Sequence, residues 1–252
     1  MNDLKVSIIT VCLNSAKSIE NTIKSVLSQS YPAIEYIIID GQSTDGTLNI
    51  IDRYGNRISK VISERDNGHI DAMNKGIRLA TGDIIYILNS DDMLYDKNVV
   101  RDIAAEFEKD HSLDLVHGKV LLAGLPKSGI VSDGNRNVIC KRDLLKYDIC
   151  HQSVFCKKNL FKKTGLLDIR YKTSADFNWL LCVFEHPEVK LKFIDRLIAI
   201  YNYKGMAYQN KYACFWERII IVNKHFSTLI FAGFLISFLT KLSIALIKKV
   251  LN

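Results

Sequence analysis

Up to Asp92 the chain alternates two apolar patterns. Val6-Ser7-Ile8-Ile9-Thr10-Val11 is short, β-branched and nearly all apolar, which predicts a strand covered on both faces. Asn14-Ser15 offers a cap for a helix in which Ile19, Ile23, Val26 and Leu27 share one face. Tyr31-Pro32 ends that helix, and Tyr36-Ile37-Ile38-Ile39-Asp40 predicts the next strand. Residues 41–46 form a polar turn. The helix after it places Leu48, Ile51 and Tyr54 inward and stops at Gly55. Lys60 to Ser63 predicts a third strand. Asp66-Asn67-Gly68 then leads into a helix with Ile70, Met73, Ile77 and Ala80 on one side, ended by Gly82. Ile84-Ile85-Tyr86-Ile87-Leu88 is a fourth strand and runs into Asn89-Ser90-Asp91-Asp92.

Continuous apolar strands joined by helical crossovers predict a parallel sheet covered by helices on both faces. Ligands of such sheets sit at the carboxyl ends of the strands. The polar clusters of this chain fall at those ends: Thr10 to Asn14, Asp40 to Asp45, Glu64 to Gly68, and Asn89 to Asp92. Beyond Asp92 the pattern loosens. Val99, Val100, Ile103 and Phe107 predict a helix, Leu113 to Leu122 a strand, and Leu191 to Tyr201 another strand. Residues 157–164 and 176–185 read as helices, and residues 123–140, with their glycines and serines, as a variable loop.

The last stretch is of a different kind. Residues 226–247 are long and apolar enough to span a bilayer, with one internal charge, Lys241, and Lys248-Lys249 behind it. Three arrangements fit: a single span, a helix lying in the membrane interface, and a helix packed on the domain's own core.

Composition adds constraints. The chain has 252 residues, 48% hydrophobic and 24% charged, which suits one α/β domain with a small appendage. Much of the basic excess behind the net charge of +7 lies late in the chain, at Lys141-Arg142, Lys157-Lys158, Lys162-Lys163 and Lys248-Lys249. That suits an anionic membrane surface or a phosphorylated acceptor. No basic arm, helix-turn-helix or zinc-finger spacing supports a nucleic-acid partner. Six scattered cysteines without a C-x-x-C read as buried thiols. Met1 to Leu4 runs straight into a strand with no secretory pattern, so a reducing cytoplasm is the expected compartment.

Ser90-Asp91-Asp92 closes a buried strand. Two adjacent acids there are unfavourable unless something positive sits beside them. A Mg²⁺ or Mn²⁺ ion on a substrate diphosphate would supply that charge; a helix N-cap is the competing role. Asp40 is placed to accept hydrogen bonds from a nucleobase or ribose. Asp45 reads as a cap of the next helix.

Taken in order, these residues resemble a family. Ile8-Ile9-Thr10 to Asn14, Asp40-Gly41-Gln42-Ser43-Thr44-Asp45-Gly46-Thr47, Asp71-Ala72-Met73-Asn74-Lys75-Gly76-Ile77, Gly82-Asp83 and Asn89-Ser90-Asp91-Asp92 look like family 2 glycosyltransferases of bacterial surface-polysaccharide type. The resemblance covers roughly residues 4–200 and is tightest before residue 95. It implies a GT-A fold: a Rossmann-like, mostly parallel sheet with helices on both faces. The domain would span residues 1–205, with 1–95 the nucleotide-binding half and 96–205 the acceptor half. Residues 206–252 would be a membrane-associating segment containing the C-terminal hydrophobic helix.

The resemblance further implies an inverting transferase that uses a UDP or GDP sugar with Mn²⁺ or Mg²⁺. Thr10 and Asp40 would hold the nucleoside, with Asn14, Asp66, Asn74, Lys75 and Asp91 completing the nucleotide-sugar set. Asp91 and Asp92 would hold the metal, Asp92 directly. Cys150-His151-Gln152-Ser153-Val154-Phe155 resembles the segment before the acceptor helix, and Thr173-Ser174-Ala175-Asp176-Phe177 the site of the catalytic base, which makes Asp176 the base. An N-cap is its alternative role. Departures from the pattern are Val11 and Leu13 where a proline and an aromatic are common, Met73 where an arginine is common, and Ala175 in place of the first acid. His69 and His151 are candidates for substrate contact. The implied acceptor is a lipid-linked glycan, as in O-antigen or capsule assembly, at the cytoplasmic face of a bacterial inner membrane, with the chain peripheral or held by one C-terminal anchor. Ala175 keeps open a non-catalytic nucleotide-sugar-binding scaffold. A nucleotidyltransferase is disfavoured because Thr10 to Ser15 holds no glycine or arginine.

Overall fold

The structure is a computed structural model that describes residues 4–124, 130–131, 138, 140–147, 149–202 and 210–236. Its first half follows the apolar pattern. β1 (Val6–Cys12) is buried along its whole length, because it lies between β2 (Ile34–Asp40) and β4 (Ile84–Ile87) and is parallel to both. β3 (Lys60–Ser63) extends the sheet beyond β2, again parallel. The crossovers are α1 (Ile19–Leu27), α2 (Thr47–Asp52) and α3 (His69–Leu79). α1 buries Ile19, Ile23 and Val26. It begins later than Asn14-Ser15 suggests, with Ser18 in the N-cap position. α3 lies so close to β1 that a Cβ on Gly76 would collide with the Ile9 side chain.

β5 (Met93–Leu94) and α4 (Val99–Lys109) lead into β6 (Leu115–Ala123), which pairs with the short β7 (Ile130–Val131). β8 (Val154–Lys157), α5 (Leu160–Thr164), α6 (Ala175–Val183), β9 (Leu191–Asn202) and α7 (Lys211–His225) follow. The strand order is β3-β2-β1-β4-β8-β6-β9-β5. The expected mostly parallel sheet is therefore a mixed one. β8 runs antiparallel to both β4 and β6, and β5 runs antiparallel to β9. β8 begins directly after the polar turn His151–Ser153 and runs into Lys157-Lys158, so no apolar run sets it apart in the sequence as it does β4. Within the described residues no α-helix lies between β6 and β8, only β7 and two short 3-10 turns, whereas parallel neighbours need a longer crossover, usually a helix.

Two cores flank the sheet. Ile9, Val11, Ile37, Ile39 and Ile85 face α3, α5 and α6, whereas Val6, Ile8, Tyr36, Ile38 and Ile84 face α1 and α4. This alternation is the period of two that a pleated strand imposes.

At the C-terminus, residues 228–236 form a further helical stretch after α7. Phe226, Phe231 and Phe234 pack on the core beside Ile221 and Val222. No helix among the described residues is long and apolar enough to cross a membrane. The remainder of the expected hydrophobic helix, with Lys241 and Lys248-Lys249, lies outside the described residues, as does most of the expected loop at 123–140. All six cysteines are free, but only Cys12 and Cys156 are buried, which corrects the expectation of uniformly buried thiols.

Candidate active site

The carboxyl ends of β1, β2 and β4 open onto one cavity of about 1180 Å³, walled on the far side by α6, α7 and the end of β9. Its mouth is polar, with Asn14, Ser15, Asp45, Asp66, His69, Asn89, Asp91, His151 and Asp176. Its inner wall is apolar, with Ile85, Val120, Leu122, Cys156, Trp179 and Leu180.

Asn14 takes a left-handed backbone, φ 51°, a conformation that asparagine tolerates better than most residues. There its N–H donates to Ser43 Oγ (2.8 Å), and its Oδ1 accepts from Thr44 N–H (2.9 Å). The loop after β1 is thereby tied to the turn after β2. Asp45 accepts from Ala16 N–H and Thr47 N–H, each at 3.0 Å, so it holds the same junction and the first turn of α2. Asp66 lines the cavity and receives Lys75 Nζ at 2.6 Å.

Several residues assigned to the nucleotide sugar stand elsewhere. Thr10 and Asp40 share the strand parity of the α1 side. Thr10 is fully buried and accepts from the Tyr36 hydroxyl (3.2 Å). Asp40 is fully buried too and accepts from Ser43 N–H (3.0 Å), the Ser43 hydroxyl and the Ser63 hydroxyl (2.7 Å). It shapes the turn from beneath. Asn74 is buried and clamps the backbone of Leu167 in both directions, at 2.8 and 3.0 Å. Lys75 is held among Glu64, Asp66 and Asp71 and does not line the cavity. None of these four is among the residues that line the cavity; each instead holds neighbouring backbone or side chains in place.

The acids after β4 divide the other way from the expectation. Asp92 is fully buried, with one oxygen accepting from Gln152 Nε2 and the other from Asn202 N–H, both at 2.8 Å. Asp91 faces the cavity and accepts from Asn202 Nδ2 (3.2 Å). Burial raises the Asp91 carboxyl above its ordinary range. Burial, followed by the charge of Asp91, pushes Asp92 up to about 7 despite its two hydrogen bonds. At both acids burial outweighs the hydrogen bonds and the charge of His151.

Asp176 stands in the first turn of α6, and the N-cap position belongs to Ser174. The segment before it is anchored from α7. Glu217 accepts from the N–H groups of Lys172 (2.7 Å), Thr173 (2.8 Å) and Ser174 (2.9 Å). Asp176 Oδ2 lies 3.1 Å from His151 Nδ1. Because a carboxylate only accepts, Nδ1 carries the proton, and Nε2 faces the Asn89 amide nitrogen at 3.4 Å. Burial would raise the Asp176 carboxyl, but the bond and charge of His151 outweigh it and hold it below the usual range. His69 also lines the cleft, and burial, then the charge of His151, lowers its pKa. Both histidines line the cavity. Glu217, Asn202 and Asn89 are the residues that sequence reasoning missed. The first two come from remote segments with no motif of their own; the third sits inside a motif whose acids drew the attention.

A family model described as Glycosyl transferase family 2 matches residues 7–125. The PGL/p-HBAD biosynthesis glycosyltransferase of Mycobacterium bovis (strain BCG / Pasteur 1173P2) is 31% identical over 203 residues, which cover 79% of this chain and 77% of the relative. The chain belongs to glycosyl transferase family 2. It is an enzyme, a glycosyltransferase. Among solved structures, residues 1–349 of S. aureus TarS in complex with UDP-GlcNAc align with a TM-score of 0.73 at 20% identity, over 92% of this chain and 72% of that one. A longer TarS chain is covered over 43% of its length. The mannosyltransferase PcManGT from Pyrobaculum calidifontis, in complex with GDP-Man and Mn²⁺, aligns with a TM-score of 0.60 at 17% identity, over 89% of this chain and 62% of that one. The fold of this family 2 glycosyltransferase is GT-A-like.

Its groups after β4 fit a hard divalent cation. Asn89 Oδ1 is buried without a hydrogen-bond partner, and Asp91, two residues on, presents a carboxylate to the same cavity. Both are oxygen donors, the type that Mg²⁺ and Mn²⁺ prefer.

Proposed function

We propose that this glycosyltransferase moves a sugar, with inversion, from a UDP or GDP sugar to a hydroxyl of a lipid-linked glycan in surface-polysaccharide assembly. The observation that carries this reading is the meeting of Asp91 and Asp176 in one cavity, with His151 and Asn89 spanning the distance between them. Asp176 accepts the acceptor hydroxyl's proton as the oxygen attacks the anomeric carbon. His151 orients that carboxylate and keeps it ionised. Asp91 and Asn89 would hold Mn²⁺ or Mg²⁺, which offsets charge growing on the departing diphosphate. Asn14 and Asp66 line the mouth on the nucleotide side, over a turn that Asp40 shapes from below.

The division of labour follows: residues 1–95 serve the donor and 96–205 the acceptor. The apolar inner wall suits an acceptor carrying a lipid, and the basic late half suits its phosphates at the cytoplasmic face of an inner membrane. The reading as a non-catalytic scaffold loses weight because Asp176, the neighbour of Ala175, itself enters the cavity beside a histidine.

The test is a panel of UDP and GDP sugars offered to the purified full chain with Mn²⁺, Mg²⁺ or chelator. Binding or slow hydrolysis of one donor, abolished by chelator, is expected. A folded protein that binds no donor would move the reading to the scaffold.

A further inference from the structure

Large exposed apolar side chains are concentrated at the end of the described chain. Tyr212, Trp216 and Ile220 on α7 are 75%, 61% and 57% exposed, and Leu229 and Ile236 in the following helical stretch are 84% and 67% exposed. The three on α7 are spaced four apart, so they form one stripe along the helix. The opposite side of the same helix is occupied: Cys214 and Arg218 line the active-site cavity, and Ile221 and Val222 are in the core. α7 thus has two working faces, one forming a wall of the cleft and the other presenting aromatic and aliphatic groups to the outside. Residues 228–236 repeat the division, with Phe231 and Phe234 packed on the core and Leu229 and Ile236 outward.

Charge indicates what this outer face meets. Glu217 is the last acidic residue of the chain, and it is turned toward residues 172–174. Arg218, which follows, belongs to the cleft face; beyond it the sequence holds Lys224, Lys241, Lys248 and Lys249 and no acid. The sequence beyond Ile236, SFLTKLSIALIKKVLN, continues the mixture of apolar residues and lysines. Tyrosine, tryptophan and aliphatic side chains, in a stretch of sequence whose only formal charges past Arg218 are lysines, match the headgroup boundary of an anionic bilayer, where amphipathic rings and cations are both favoured. A water-soluble protein partner would match the apolar stripe but has no need of the one-signed charge.

We propose that the outer face of α7, with Tyr212, Trp216 and Ile220, and its continuation through Leu229 and Ile236, docks on an anionic lipid surface. Docking sets the cleft wall formed by α7 against the bilayer, so that a lipid-linked acceptor reaches Asp176 without leaving the membrane. The purpose of the docking rests on the acceptor reading above; the docking itself rests on exposure and charge.

The experiment uses the full chain with phosphatidylcholine vesicles, with and without phosphatidylglycerol. Tryptophan fluorescence is read against lipids brominated on the acyl chains. Trp216 is exposed and Trp179 is buried in the cleft wall, so the two report differently. Anionic vesicles are expected to bind the protein, with brominated chains quenching its fluorescence and added salt weakening the effect. The quenching should vanish in Trp216→Phe. The triple variant Tyr212→Ser, Trp216→Ser, Ile220→Ser, all at exposed positions, should lower vesicle affinity roughly tenfold or more while chelator-sensitive donor binding persists. Vesicle binding without quenching of Trp216 would place the contact on the tail alone and overturn the proposal. So would a dimer in solution that shields Trp216. Loss of donor binding in the parent protein would instead count against the transferase reading and leave the vesicle result to decide docking by itself.

Discussion

At the scale of single residues, the site depends on how one imidazole is shared. His151 donates a hydrogen bond from Nδ1–H to Asp176 and turns Nε2 to the Asn89 amide nitrogen, while Asn89 Oδ1 is buried without a hydrogen-bond partner. Asp176 is held below the usual carboxylate range largely by that bond. A base must be ionised to accept a proton, so this bond keeps Asp176 ready to act as one at pH values below those ordinary for a carboxylate. His151→Leu removes the bond. The Asp176 pKa then rises, and the acid limb of the kcat/KM profile is expected to move to higher pH. An unmoved limb with a lower plateau would mean that His151 acts on the donor. The chain showed its acids plainly, since Asp91, Asp92 and Asp176 stand in motifs. Which acid faces the cavity was not legible. At a strand end that decision depends on Gln152 and Asn202, which take both oxygens of Asp92 and come from segments 60 and 110 residues away.

At the scale of elements, the parallel half of the fold was readable because its strands are apolar throughout and its helices amphipathic. The strands that turn the sheet antiparallel were not, since β5 and β8 are short and owe their existence to their neighbours. Polar ties inside the readable half are also invisible in a pattern. Glu35, on β2, is nearly fully buried. It accepts from Ser7 Oγ (2.6 Å), Thr81 N–H (2.7 Å) and Thr81 Oγ1 (2.8 Å), with Lys5 and Lys60 nearby at 3.7 and 3.5 Å. Burial alone would raise its pKa; these bonds and charges outweigh it and bring it to about 2. The unfolded value is about 4.3. The stabilisation is therefore complete above that value and is lost as pH falls toward 2. Glu35→Gln should lower stability at neutral pH by about 2–3 kcal/mol, measured by urea unfolding. The difference from wild type should shrink as pH falls below 4. A constant difference across that window would show that the loss is packing and not charge.

At the scale of the whole molecule, one sheet runs through both halves of the fold, and the halves are stitched together where Asn202 at the end of β9 meets Asp91 and Asp92 after β4. The C-terminal stretch divides at a place the sequence did not mark. Its uniform apolarity covers residues 226–247, but Phe226, Phe231 and Phe234 belong to the core. Removing the chain from residue 226 would therefore strip core side chains, whereas ending it after Ile236 spares them. The shorter protein is expected to unfold within a few degrees of the full chain and to sediment less with membranes. Unchanged sedimentation would assign membrane attachment to α7 and residues 228–236 alone.

The central claim is that Asp176 removes the acceptor's proton while Asp91 serves the donor side. Its most direct test is Asp176→Asn, with transfer and metal-dependent donor binding measured on the same preparation. Transfer is expected to fall by about 10²–10⁴-fold while donor affinity stays within about twofold, since Asp176 stands on α6 and the donor side is built from the loops after β1, β2 and β4. Turnover at the wild-type rate in that variant would contradict it.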